Sequence, residues 1–202
     1  MLVYFHGHNS QHSIDSYIRA LPQRDFRAKL SSKKIVLVEP WGGNGSNFQR
    51  LQTAGGLTAL IDCAMSTAIE NGTPTRPCPV QPPAPPSLIF AGFSGGGQAL
   101  NASVVANCDY ANRLTDAWAF DCLYAEEGQN HTWINWARAN SDKNLRIRVT
   151  PYSGSPSGQN KLIRDEIAKL QKQGANLANI DIADPVHVAH EECPGTFLPQ
   201  WL

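Results

Sequence analysis

Gly92-Phe93-Ser94-Gly95-Gly96 sets a serine between glycines at G-x-S-x-G spacing. The pattern alone recurs by chance, but its setting is specific. The apolar run Leu88-Ile89-Phe90-Ala91 directly precedes it, and a helical pattern directly follows. A serine on a tight strand-to-helix turn holds strained backbone angles, and small flanking residues make that turn possible. The turn lifts the hydroxyl above the carboxyl edge of a sheet. It also aims the unpaired N–H groups of the helix start at a developing oxyanion. This is the chemistry of a nucleophilic serine. A phosphate cradle at a helix start is the competing reading, but no Lys-Ser/Thr follows the glycines, which disfavours a P-loop.

A serine hydroxyl is a weak nucleophile until a histidine takes its proton and a carboxylate fixes that histidine's tautomer. The histidines after Ser94 are His131, His187 and His190. His187 and His190 follow the last apolar run, where a loop can return over the serine. His190 is preferred as the base because Pro194, Phe197 and Leu198 behind it read as the start of a closing helix; His187 is the alternative. The segment 152–160 after the fifth apolar run holds no carboxylate, and Asp165 comes only within the helix beyond it. Asp121, ending the run Ala117-Trp118-Ala119-Phe120, is the candidate acid, since a carboxylate there is poorly solvated unless paired. A helix cap is the plainer role for Asp121, and Asp184 is the reserve acid. For the oxyanion, the first apolar run ends in His6-Gly7-His8-Asn9, and the expected donors are the main-chain N–H groups of His8 and Gly95. Gly7, Phe93 and Trp41 are the expected substrate contacts, with Gly42, Gly43, Trp118, Tyr124 and Trp133 as further candidate walls. A pair of histidines does not make a metal site. His6 is therefore read as a brace for its loop, and no metal or cofactor is expected.

These residues need elements to hold them. Short apolar runs at Leu2–Phe5, Lys34–Glu39, Ser87–Phe93, Asp116–Phe120, Arg146–Thr150 and Asn179–Ile182 read as buried parallel strands. Helical patterns at Leu51–Ile69, Gly96–Ala106, Trp133–Ala139 and Lys161–Gln173 fall between them. The alternation predicts a three-layer α/β sandwich, with a mainly parallel sheet of about six strands. The segment Thr73–Pro86 carries half of the chain's 14 prolines and reads as a stiff surface connection rather than a polyproline ligand.

Composition narrows the function. The chain has 202 residues, and 17 Lys+Arg balance 17 Asp+Glu, which leaves no basic footprint for nucleic acid. An apolar content of 42% excludes disorder. No apolar run approaches the ~18 residues of a membrane span. Met1 leads straight into the first strand pattern without the features of a secretory signal. That start fits a cytoplasmic chain, or a secreted one whose leader has been removed. The five cysteines match no zinc spacing. Cys122 and Cys193 flank the candidate acid and base, and a bridge between them is expected to clamp the two loops.

Together these residues resemble the α/β-hydrolase superfamily of serine esterases, lipases and peptidases, from His6-Gly7 through Ser94 to His190. More narrowly, Phe5-His6-Gly7-His8, the Gly92–Gly96 turn, and Phe120-Asp121-x-Leu123-Tyr124 with the following Trp133–Trp136 are similar to a compact bacterial group. That group has strand ends of the form L-D-x-L-Y. The resemblance implies a hydrolase core in strand order 2-1-3-4-5-6, in one domain over residues 1–202; the chain departs from the family in having room for about six strands, so the family's first two are missing, and in a stretch from Asp121 to His131 too short for a lid. The family order of serine, acid, histidine puts His131 too early, and the group's pattern favours Asp121 as the acid. The implied activity is hydrolysis of a small-molecule carboxylic ester through an acyl-enzyme. An amidase or peptidase, and a non-catalytic binding module, are the alternatives.

Overall fold

In the computed structural model, residues 1–20, 26–30, 33–69, 84–106, 108–123, 129–151 and 155–202 are described. Six strands form one sheet: β1 (Leu2–Phe5), β2 (Leu37–Val38), β3 (Leu88–Phe93), β4 (Leu114–Phe120), β5 (Asn144–Arg148) and β6 (Ile180–Ile182). Every pairing is parallel, in the order β2-β1-β3-β4-β5-β6. This is the expected strand order. All strands therefore deliver their carboxyl ends to one edge of the sheet.

The period of two along each strand divides the core into two layers. Val3, Phe5, Leu88, Phe90, Ala117, Ala119, Leu145 and Ile147 face one way. They pack against α3 (Ala54–Ile69), α4 (Gly97–Val105), α5 (Gln129–Ala139) and α6 (Ser155–Lys172). Leu2, Tyr4, Ala91, Phe93, Trp118 and Phe120 face the other way, against α2 (Phe26–Leu30) and α7 (Cys193–Trp201). A sheet covered on both faces explains why the inner strands read as continuous apolar runs.

Two sequence expectations need adjusting. The connection between β1 and β2 contains two short helices, α1 (Ile14–Ala20) and α2, where no helix is expected. Each is only a turn or two long, so too few apolar positions repeat to show a period. β5 is not a buried apolar run either. Its alternate residues, Arg146 and Arg148, lie on the α7 face beneath Trp201, with guanidinium carbons 5.6 and 5.1 Å from the ring centroid. Arg148 pairs with Asp181 at 2.9 Å and Arg146 with Asp116 at 3.6 Å. Indole and carboxylates together close a face that apolar side chains close elsewhere. Among the described residues, no helix is long and apolar enough to cross a membrane. Most of the proline-rich segment Thr73–Pro86, residues 73–83, lies outside the described residues.

Candidate active site

The strand register assembles the candidate residues. Phe93 pairs with Phe120, and Phe120 with Arg148, so Ser94, Asp121 and the stretch leading to Thr150 follow at adjacent strand ends. Three non-glycine residues have positive φ among the described residues: Ser46 (52°), Ser94 (49°) and Asp121 (47°). Left-handed backbone costs an ordinary residue roughly 1–2 kcal/mol. It persists where surrounding structure over-determines it, and such positions gather at functional sites. Ser94 reaches this conformation in the short 3-10 turn Ser94–Gly96 that links β3 to α4. Gly96 is what lets the turn close: a Cβ there would stand 2.1 Å from the Phe5 carbonyl oxygen.

Asp121 is fully buried. Its Oδ1 accepts the Thr150 N–H at 2.9 Å. Its Oδ2 accepts the Thr150 hydroxyl at 2.7 Å and lies 2.6 Å from His190 Nδ1. A buried carboxylate keeps its charge only when donors replace water, and at least three among the described residues do so here. The same contact fixes the imidazole: Nδ1 carries a proton toward the carboxylate, and Nε2 is left with a lone pair. The His190 ring packs on Phe93, 4.6 Å between centroids, which sets it over the residue that precedes Ser94. His190 opens a 3-10 turn that runs directly into α7.

The loop after β1 lies against Ser94 from the other side. A Cβ on Gly7 would meet Ser94 Cβ at 2.7 Å and Oγ at 3.2 Å, so only glycine fits beside the hydroxyl. A Cβ on Gly95 would meet the His8 ring at 2.7 Å, so the His8 loop stands over the Gly95 backbone. The Gly95 N–H belongs to the first helical turn, whose amides have no intrahelical acceptor. His6 is buried, and its Nε2 accepts the Gly42 N–H at 3.0 Å. Its Nδ1 therefore donates, to the Gly7 carbonyl at 2.8 Å. With both nitrogens engaged, His6 ties the β1 loop to the β2 loop. Among the described residues, no three His, Cys, Asp or Glu side chains gather as a metal set.

No family model, curated protein or solved structure matches this chain.

Several expected residues sit elsewhere. His187 is exposed, and His190 is the imidazole on Asp121. Asp184 forms an exposed ion pair with Arg164, so it is not the partner of a histidine. Phe93 is 2% exposed and offers no substrate surface; it floors the imidazole instead. Trp118 and Trp133 are core residues, 1% and 2% exposed, because their strand and helix turn them inward. Trp41 is half-buried and lies flat on His6, 4.7 Å between centroids. Tyr124 and most of the stretch that bears on a lid fall outside the described residues. The Cys122–Cys193 bridge does not form: both thiols are free. Cys122 packs in the core layer of α3 to α6 and Cys193 in that of α7, so the sheet divides them. Burial, then the charge of Asp121, pushes both thiols well above the usual range.

Sequence reasoning missed Thr150. Thr150 closes the fifth apolar run, just ahead of the carboxylate-free segment 152–160, and supplies two donors that hold Asp121. A Thr at the end of the strand beside the acid's strand is the signal that was available.

Proposed function

We propose that the protein is a serine hydrolase of α/β-hydrolase type that cleaves carboxylic esters through an acyl-enzyme. The observation that carries this reading is the Asp121–His190 contact of 2.6 Å, with that imidazole seated on Phe93 beside a left-handed Ser94.

His190 Nε2 takes the proton of Ser94 Oγ as the oxygen attacks the ester carbonyl. The C=O electron pair moves onto the carbonyl oxygen, where the N–H groups of His8 and Gly95 receive it. Loss of one such donor costs about 3 kcal/mol of transition-state stabilisation. The imidazolium, steadied by Asp121, returns its proton to the leaving alkoxide, and the alcohol departs. Water then repeats the sequence on the acyl-enzyme, releasing the acid and restoring the serine. Asp121 stays ionised throughout, held by Thr150 and the imidazole.

The test is hydrolysis of p-nitrophenyl esters by wild type and Ser94→Ala. The variant is expected to lose nearly all turnover, keeping at most about 10³-fold over water from the oxyanion donors and binding. Equal rates in the two proteins would overturn the proposal.

A further inference from the structure

The loop after β2 bounds a cavity of about 350 Å³, lined by Trp41, Asn47, Phe48, Gln49, Arg50 and Leu51. Its walls are built rather than draped. Phe48 is buried edge-on against Phe5 and His6, with centroids 5.2 and 5.0 Å away. Gly42 backs on the Phe48 ring, where a Cβ would stand 2.7 Å from it. The Asn47 N–H donates to the Gly42 carbonyl at 2.6 Å, and the Ser46 N–H to the Gly43 carbonyl at 3.2 Å. The Asn9 N–H reaches the Asn44 carbonyl at 3.1 Å and ties this loop to the one over Ser94. Ser46 is the third left-handed non-glycine residue, beside Ser94 and Asp121.

Arg50 is the charged residue in this lining. It is exposed, and its guanidinium makes no ion pair or hydrogen bond among the described residues. Aromatic walls beside an uncommitted guanidinium suit an anion carried on an apolar stem, since the planar fork matches a carboxylate's two oxygens. The cavity is joined to the β1 loop beside Ser94: its Trp41 stacks on the buried His6, and the next residue, Gly7, abuts Ser94. It also lies on one particular side. Asp121 and its imidazole stand on the β4 side of β3, where the leaving alkoxide must be protonated. The cavity stands on the β1 and β2 side, away from that imidazole, where an acyl chain would run clear of the leaving group.

We infer that this cavity is an acyl-chain subsite in which Arg50 selects substrates whose acyl group ends in a carboxylate. The inference rests on the Ser94 hydrolase reading. The test compares the p-nitrophenyl half-ester of adipate with methyl p-nitrophenyl adipate, subtracting spontaneous hydrolysis. Wild type is expected to favour the half-ester in kcat/KM by up to about fivefold, what a solvent-facing ion pair supports. Arg50→Gln is expected to bring that ratio to about one, and Arg50→Lys to restore part of it. A wild type that turns over both esters equally, or an Arg50→Gln variant that keeps the preference, overturns the subsite alone. A folded wild type that hydrolyses neither ester overturns the Ser94 reading, and the subsite falls with it.

Discussion

Replacing Asp121 by Asn removes one charge with almost no change of shape, and the consequence can be worked from the three bonds the carboxylate accepts. Oδ1 faces the Thr150 N–H, while Oδ2 faces the Thr150 hydroxyl and His190 Nδ1. An amide has one oxygen. If that oxygen stays toward the Thr150 N–H, the NH₂ faces His190 Nδ1, which must then accept. The imidazole proton moves to Nε2, and the base is lost. If the amide flips, NH₂ meets N–H in a fully buried site, at a cost of about 1–3 kcal/mol for the unsatisfied donor. The first arrangement is expected, and the wrong tautomer lowers kcat by about 10⁴, or roughly 5.5 kcal/mol of barrier. Thr150→Val is the control. It removes the hydroxyl donor but keeps the N–H and the tautomer. Its loss is one hydrogen bond to a charged group, about 1.5–3 kcal/mol in urea unfolding, with a far smaller fall in kcat. The assay is p-nitrophenyl ester hydrolysis with circular dichroism to establish folding. A folded Asp121→Asn protein within tenfold of wild type would refute the tautomer argument.

Gly7→Ala is expected to lower esterase activity strongly while the protein still folds. The new methyl would stand 2.7 Å from Ser94 Cβ, so either the nucleophile or the loop over it must shift; turnover measured beside the melting temperature checks this. Cys122 and Cys193 are expected to resist iodoacetamide at pH 8 in the native protein, because both are buried with thiols pushed upward in pKa. In denaturant without reductant both are expected to alkylate, and mass spectrometry showing them still joined would contradict their free state.

How far the chain could be read depended on the kind of signal. β1, β3 and β4 are apolar runs bounded by Gly, Asp and Pro, and their burial on both faces made them plain. β5 was legible as a strand but not as what it buries, because Arg146 and Arg148 find Trp201 and two carboxylates far away in sequence. α1 and α2 are too short to show a period. At the site, Ser94 was legible because local turn chemistry writes itself into neighbouring glycines. Asp121 and His190 were legible as candidates, being polar groups at the end of a strand and ahead of a closing helix. Their pairing is a contact 69 residues apart, so no local pattern records it. A separation of 29 residues from Asp121 likewise hid Thr150. Sequence position also misled the reading of Cys122 and Cys193, where nearness to the site in sequence says nothing about which face of the sheet each thiol takes.

The proposed function stands on the side chain at 94 being a nucleophile activated by the imidazole at 190. Incubation with a fluorophosphonate probe, followed by peptide mass spectrometry, addresses it directly. A stoichiometric adduct is expected on Ser94, and it is expected to disappear in His190→Ala. An unmodified Ser94 in folded protein, or equal labelling in His190→Ala, would contradict it.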